Sequence, residues 1–235
     1  YGSSASITLG GIRQAVVGGT GNNVFLMIGI VFLSVGLLFK VGAVPFHAWT
    51  PDVYQGAPTP ITAFMAAATK VAAFGAIFRV FFVAFGNLRW EWRPVMWAVA
   101  ILSMLIGSVI AVTQSDIKRM LAYSSVAHTG FILLALIAAS PAGLSSSLIY
   151  LAAYSFTTLG SFAVVSIVRD ASGEANHLSQ WAGLGKKSPL VASIFALFLL
   201  ALAGIPLTSG FTAKFAVFTA AVDGQATPLV IIAVI

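Results

Sequence analysis

Long apolar runs alternate with short polar stretches along the whole chain. A bilayer core about 30 Å thick takes about 20 residues of α-helix to cross, and in lipid a helix satisfies its own backbone hydrogen bonds. Runs of that length with almost no charge therefore predict membrane-spanning helices. Six such runs, and the beginning of a seventh, occupy residues 24–46, 60–78, 94–114, 120–139, 142–168, 188–222 and 226–235. The pattern predicts an all-α, polytopic helix bundle that forms a single transmembrane domain over residues 1–235.

The sixth run is too long to cross a bilayer as one straight helix. Apart from Lys214, residues 188–222 are uncharged, and a continuous helix over them would be about 52 Å long at 1.5 Å per residue. The glycines and the proline of residues 204–210 divide this run. Pro45 interrupts the first run in the same way, because proline cannot donate a helical hydrogen bond. We expect two discontinuous helices whose unwound backbone lines hydrated cavities.

Composition excludes several classes of protein. Of the 235 residues, 59% are apolar and only 8% are charged, too few charges for a water-soluble surface. The formal net charge of +6 comes from basic residues scattered between apolar runs, which is typical of membrane topology and gives no basic patch for nucleic acid. The chain has no cysteine, so disulfides and thiolate-bound metal or iron–sulfur centres are excluded. Any redox centre is therefore expected in another chain.

The termini and the loop charges predict how the chain lies in the membrane. It begins at Tyr1 without an initiator methionine and stops inside an apolar run, so we expect an internal piece of a larger polytopic protein. Four short-loop arginines fall on one side of the predicted bundle and five basic residues fall on the other. This small excess predicts that the loops at 47–59 and 170–188 face the cytoplasm.

Three lysines inside the apolar runs are candidate functional residues. Lys40, Lys70 and Lys214 would each cost about 2.5–3.5 kcal/mol at the centre of a membrane helix. We expect Lys40 and Lys214 to point into the hydrated cavities at the two predicted helix breaks. For both, the alternative is snorkelling to the interface, since each lies near a break. Lys70 is too far from both ends of its run to reach a headgroup layer easily. Lys70 is therefore the lysine that most strongly indicates a function inside the membrane.

His128 lies at the centre of the fourth run and has two possible roles. It can be a hydrogen-bonded packing residue, or it can relay protons, because an imidazole accepts a proton on one nitrogen and releases it from the other. The polar neighbours Ser124, Ser125 and Thr129 could hold water beside it.

Other polar residues are given structural roles. Lys118 and Arg119 stand at the entrance of the fourth run, where snorkelling and topology explain them. Asp52 lies in a turn-rich loop and could cap a helix or pair with a neighbouring cation. The three histidines offer no metal-ligand pair, and we predict neither a metal nor a cofactor in this chain.

Three long motifs and one tripeptide resemble the sequences of a known family. Residues 39–60 read FKVGAVPFHAWTPDVYQGAPTP, residues 115–130 read SDIKRMLAYSSVAHTG, and residues 204–215 read GIPLTSGFTAKF. With Thr69-Lys70-Val71, these motifs resemble the antiporter-like subunits of respiratory complex I, the bacterial NADH-quinone oxidoreductase. They span nearly the whole chain.

The resemblance implies a fold and a set of site residues. Antiporter-like subunits have inverted-repeat architecture with two broken helices, and their N-terminal helices would precede Tyr1. By motif, Lys40 corresponds to the family's lysine before the first break, Lys70 to its central lysine, and Lys214 to its lysine after the second break. His128 corresponds to its intramembrane imidazole. The family's membrane glutamate, the ion-pair partner of Lys40, would lie upstream of Tyr1.

The resemblance also implies a function. It predicts a proton-translocating subunit in the bacterial inner membrane, a translocase component without a redox centre of its own. NADH, flavin, iron–sulfur clusters and quinone would bind other subunits. Partners would be other membrane subunits, including neighbouring antiporter-like subunits, together with lipid, protons and water. The alternatives are a subunit of a multi-subunit cation/proton antiporter and a non-pumping scaffold.

Overall fold

A computed structural model describes residues 1–19, 23–170 and 173–234. Within these ranges the chain is almost entirely helical. The α-helices are α1 Leu9–Gly18, α2 Asn23–Val41, α3 Trp49–Gly56, α4 Thr59–Phe64, α5 Lys70–Phe78, α6 Arg89–Val112, α7 Ile117–Ala138, α8 Pro141–Ile167, α9 Leu184–Lys187, α10 Pro189–Ala203, α11 Ser209–Asp223 and α12 Thr227–Val234. A two-stranded antiparallel hairpin, β1 Arg169–Asp170 and β2 Gly173–Glu174, follows α8.

Five helical stretches of the described residues are long and apolar enough to cross a membrane. They are Val24–Val41, Thr59–Ala84, Gly86–Val112, Ile117–Ala138 and Pro141–Ile167. The prediction of an all-α polytopic membrane bundle is confirmed. The sixth apolar run forms two shorter helices, and the beginning of the seventh forms α12. Residue 235 of that run, and residues 171–172 of the loop predicted to face the cytoplasm, lie outside the described residues.

Several features of the helices differ from the sequence expectation. α3 occupies most of the segment 47–59, which was expected to be a loop, and it contains Asp52. α1 was not expected, because it is short and only moderately apolar. The second span was expected to end at residue 78, but helical structure continues to Ala84. The span carries two π-helical segments, Met65–Thr69 and Arg79–Ala84, which keep the backbone helical on either side of α5. Arg79 is exposed, so its charge does not end the helix.

Helical structure stops at both interruptions found in the sequence. α2 ends at Val41, and α3 begins only at Trp49. Gly42 follows with φ +71°, the left-handed conformation that ends many helices at a glycine. The free amide of Val44 donates to the Ser103 hydroxyl on α6, at 3.0 Å. A side chain of a neighbouring helix therefore accepts the hydrogen bond of a backbone amide that the interruption leaves without a helical partner.

The second interruption separates α10 from α11. Gly204 adopts φ +81°, and the amide of Ile205 donates back to the Leu200 carbonyl, which closes the end of α10. Thr208 caps the start of α11, because its hydroxyl accepts the amide of Phe211. That the two helices flanking each interruption cross the bilayer as one discontinuous helix stays a prediction.

α7 is the central helix of the bundle. Four-fifths of this span is buried, whereas the other spans are half-buried or less. It packs against α3, α6, α8 and α11. Its side chains therefore contact helices on several sides. His128 and its hydroxyl neighbours lie between α5, which carries Lys70, and α11, which carries Lys214.

Candidate functional site

Lys70 is buried in the middle of the bundle and holds three hydrogen bonds to α7. It is the first residue of α5, directly after the π-helical segment Met65–Thr69, and its exposed fraction is 4%. The ammonium Nζ donates to the Ser125 carbonyl at 2.6 Å, to the Ser125 hydroxyl at 2.5 Å and to the Thr129 hydroxyl at 2.9 Å. All three of its N–H donors meet uncharged oxygens.

No carboxylate pairs with Lys70 in the part of the chain that the structure describes. A buried charge without a counter-ion is expensive, so its cationic form is held only by hydrogen bonds and by nearby π-electrons. The ring of Tyr154, on α8, lies 5.2 Å from Nζ and supplies the latter. No ion pair therefore stabilises the protonated form of Lys70 among the described residues.

Tyr154 also contacts His128, so it stands between the lysine and the imidazole. The centroids of the Tyr154 and His128 rings are 5.0 Å apart. On its other side, His128 forms a 2.7 Å hydrogen bond through Nδ1 with the hydroxyl of Tyr150. His128 is buried, and its ring is held between aromatic side chains of α7 and α8.

Two cavities meet at His128. A groove of about 450 Å³ is lined by His128, Phe131 and Lys214, together with residues of α6 and α10. A second, much smaller cavity of about 10 Å³ is lined by His128, Tyr150 and Gly210, and has room for a single water. His128 is therefore accessible to small polar molecules from the side of Lys214.

Lys214 lies at the second helix interruption. Its Nζ donates to the carbonyl of Ala203, the last residue of α10, at 2.9 Å, and lies 4.5 Å from the centre of the Phe131 ring. A cation at the carbonyl end of a helix is favourable, because the last carbonyls lack partners. The left-handed Gly204 leaves room for this side chain, since a Cβ there would lie 2.8 Å from the lysine Cδ.

The structure brings together Lys70, His128 and Lys214, and it does not bring Lys40 to the same place. Lys40 lies one residue before the end of α2 and is exposed, without a hydrogen bond or an ion pair in the described ranges of the chain. The expectation that Lys40 points into a hydrated cavity, paired with an upstream glutamate, therefore stays a prediction.

The sequence interpretation of Lys118 as a snorkelling residue is wrong. Lys118 is 3% exposed, and its Nζ lies 3.4 Å from the Glu174 carboxylate and 3.1 Å from the Ala57 carbonyl. The Thr59 hydroxyl donates to the same carboxylate at 2.5 Å. The only sequence signals were a lysine at a helix start and an acidic residue in a distant loop, and neither indicates a contact.

Arg119 and Asp52 form a separate pair at the same end of the bundle. The Arg119 guanidinium donates to the Asp52 carboxylate at 2.7 Å, and the Asp52 side chain is 73% exposed. The structural role predicted for Asp52 is therefore confirmed by a cation partner. Exposed pairs of this kind contribute little to stability.

The fold and the buried cation site define a class of protein: a polytopic membrane protein with a line of ionisable groups in its interior and, in the described residues, no cluster of metal ligands. Its family follows from comparison with known proteins. The family model "NADH:quinone oxidoreductase/Mrp antiporter, TM" matches residues 1–235, and the chain belongs to this family. It is a multi-pass protein of the bacterial inner membrane.

Curated relatives point to one subunit type. The NADH-quinone oxidoreductase subunit N of Rhodococcus opacus is 66% identical over 235 residues, which cover all of this chain and 44% of that protein. The subunit N of Mycobacterium tuberculosis is 62% identical over 239 residues, which cover 45% of it. The chain thus spans less than half the length of these relatives.

Solved structures support the fold. Respiratory complex I from Thermus thermophilus contains a chain with a TM-score of 0.82 and 34% identity, matched over all of this chain and 49% of that one. The Mrp complex from Dietzia sp. contains a chain with a TM-score of 0.87 and 28% identity, matched over 97% of this chain and 42% of that one. The predicted resemblance to antiporter-like subunits of complex I is confirmed.

Proposed function

We propose that this chain is part of a proton-translocating membrane subunit of NADH-quinone oxidoreductase. The observation that carries the proposal is Lys70, a buried lysine whose three hydrogen-bond acceptors are all uncharged. The names of the curated relatives, each an NADH-quinone oxidoreductase subunit N, support the same assignment.

The mechanism that we propose is electrostatic. Burial and nearby cations lower the proton affinity of a lysine, and a carboxylate restores it. Charge movement driven by electron transfer in other subunits separates Lys40 from its upstream carboxylate. The proton of Lys70 then moves through His128 and water to Lys214, and is released on the far side of the membrane.

Water completes this path. Packed helices have axes about 8–10 Å apart, too far for direct transfer between their side chains, so ordered water must bridge the groups. The groove shared by His128 and Lys214 supports this step, because it offers about 450 Å³ between them. In the proposal, α2 with α3 and α10 with α11 act as the two discontinuous helices that line the path. Because α3 occupies most of the segment 47–59, the cytoplasmic side of the bundle is marked by the end of α3 and by the loop at 170–188.

The partners and the cofactors belong to the same proposal. The subunit binds other membrane subunits of the complex, including neighbouring antiporter-like subunits, and works with lipid, protons and water. NADH, flavin, iron–sulfur clusters and quinone bind elsewhere in the complex.

A subunit of a multi-subunit cation/proton antiporter is the second candidate, favoured by the TM-score of 0.87 to the chain of the Mrp complex. Against it, Na⁺ prefers oxygen ligands that include carboxylates, and the residues contacting Lys70, His128 and Lys214 in the described chain supply none. A non-pumping scaffold is the third candidate.

Purification of the full-length protein from its own membrane separates these candidates. The first proposal expects NADH–quinone reductase subunits to co-purify, and expects the reconstituted complex to acidify or alkalise vesicles only while NADH and quinone react. Sodium-driven proton movement without electron transfer would instead establish the antiporter. Proton movement that is unchanged when Lys70 is replaced by methionine would establish the scaffold.

His128 supplies a prediction about the relay. His128→Gln retains a side chain that can hydrogen bond to the Tyr150 hydroxyl, so we expect normal assembly with slower proton-coupled turnover, because glutamine cannot exchange protons as an imidazole does. His128→Ala should in addition lower the yield of the complex, because it leaves the buried hydroxyl of Tyr150 unpaired, at a cost of about 1–3 kcal/mol. The measurements are proton uptake per electron in vesicles and complex yield.

Normal pumping by His128→Gln, together with a reduced yield for His128→Ala, would make His128 a packing residue. The proton would then travel from Lys70 to Lys214 through water alone.

A further inference from the structure

The Thr129 hydroxyl connects the buried lysine to the end of another helix. Its oxygen lies 2.9 Å from Lys70 Nζ and 3.0 Å from the carbonyl oxygen of Val41. A third neighbour is the Ser125 carbonyl, one turn earlier on α7, at 3.1 Å. Thr129 is completely buried, so it has no contact with bulk water.

A hydroxyl has one proton to donate and lone pairs with which to accept. While Lys70 is an ammonium it has no lone pair, so Thr129 must accept from Nζ and give its own proton to a carbonyl. The Ser125 carbonyl already accepts from Lys70 at 2.6 Å. Val41 is the better recipient, because it is the last residue of α2, where helix carbonyls lack intrahelical donors.

Resting on the function proposed above, we propose that Thr129 is a positioning residue that couples the protonation of Lys70 to the end of α2. When Lys70 gives up its proton, the neutral amine gains a lone pair. The Thr129 proton then turns from the Val41 carbonyl to Nζ. Lys70 loses one proton, the Val41 carbonyl at the end of α2 loses one hydrogen bond, and no other proton is transferred.

The consequence concerns Lys40, the residue before Val41. When a carbonyl at the end of a helix loses its hydrogen-bond donor, the partial negative charge on its oxygen is no longer neutralised. This favours a cation in the last turn of the helix. Loss of the proton from Lys70 therefore makes the last turn of α2, which carries Lys40, a more favourable place for a cation.

Few other titratable groups surround this contact in the described chain. Tyr154 of α8 faces Lys70 at 5.2 Å, His128 contacts Tyr154, and the side chain of Tyr54 on α3 faces Ser125. None is a carboxylate. Among the described residues, the hydroxyl of Thr129 links Lys70 to α2 through its two hydrogen bonds.

The test compares Thr129→Val with Thr129→Ser in the complete, membrane-reconstituted complex. Valine has the shape of threonine without the hydroxyl, and serine keeps the hydroxyl. We expect Thr129→Val to slow proton-coupled quinone reduction about tenfold or more, the change that follows from losing a hydrogen bond to a charged group. Thr129→Ser should stay near the wild-type rate. Proton uptake per electron is measured beside the NADH–quinone rate.

Thr62→Val is the matched control. Thr62 is equally buried, and its hydroxyl also donates to a backbone carbonyl of another helix, that of Tyr54, at 3.2 Å. It does not contact Lys70 or α2, so we expect a comparable loss of thermal stability with unchanged protons per electron. If Thr129→Val does not assemble, Thr129→Cys replaces it, because a thiol is a much weaker donor of similar size.

A double variant separates this proposal from the proposed function. In a Lys70→Met background, Thr129→Val should change pumping no further, because Thr129 acts through Lys70. Equal pumping by the valine and serine variants, or an additional loss in the double variant, would overturn the role of Thr129. Normal pumping by Lys70→Met alone would overturn the proposed function instead.

Discussion

Lys70→Met should give a complex that assembles, reduces quinone poorly and moves few protons. Methionine has a similar length and removes a buried charge that no carboxylate balances, so the bundle should be about as stable as before. Groups that transfer protons typically contribute about 10²–10⁴-fold to a rate, and we expect proton translocation to fall about a hundredfold. The measurement is proton uptake by vesicles during NADH oxidation, normalised to complex content.

Two further variants sharpen this result. Lys70→Arg keeps a cation but cannot release its proton at physiological pH, so it should fail to pump in the same way. Lys186→Met removes an exposed lysine at the end of the bundle, and it should pump as the wild type does. A fully assembled Lys70→Met complex that pumps normally is incompatible with a proton-carrying Lys70.

Much of the fold follows from the length of uncharged runs. The spans formed by α7 and α8 begin and end within a few residues of the predicted runs, because the thickness of the bilayer sets the length of an uncharged run. The span that contains α6 ends near its predicted end but begins earlier, at Gly86 instead of residue 94. Both helix interruptions were also found from proline, glycine and length. The π-helical segments before and after α5 were not, because no residue type marks them. Met65–Thr69 packs against α8, and Arg79–Ala84 packs against α1.

The site was predictable in its residues more than in its geometry. The cost of burying a charge identifies Lys70 and Lys214 from sequence alone. The contacts between them depend on which faces of α7 meet α5 and α8, and a single sequence does not specify that. Nothing in the sequence distinguishes Tyr150 and Tyr154 from the other residues of their apolar run, although they hold the imidazole of His128 in place.

The error at Lys118 has a physical reason. Its partner, Glu174, comes from a hairpin far along the chain that docks on the start of α7. Backbone bonds fix this docking, since the Ile117 amide donates to the Asn176 carbonyl at 2.8 Å and the Leu178 amide donates to the Ser115 carbonyl at 2.8 Å. A lysine at a helix start is normally explained by the interface, and only this tertiary contact turns it into a buried ion pair.

Lys118→Met is therefore expected to destabilise the protein more than loss of the neighbouring Arg119 charge does. The substitution leaves the Glu174 carboxylate with the Thr59 hydroxyl as its partner and without a cation. Breaking a buried pair by removing one partner costs about 3–5 kcal/mol. The loss should lie at the lower end of that range, because the Glu174 side chain is 26% exposed and keeps some hydration.

The neighbouring residue provides the control. Arg119→Met breaks the pair with Asp52, which is largely exposed, and should cost no more than about 1 kcal/mol. Adding Glu174→Gln to Lys118→Met should restore part of the lost stability, because no unpaired charge then remains. Thermal unfolding of the purified complex in nanodiscs measures all three. If Lys118→Met and Arg119→Met lowered the unfolding temperature equally, the Lys118–Glu174 pair would be no more than a surface contact. The docking of the hairpin on α7 would then depend on its backbone hydrogen bonds alone.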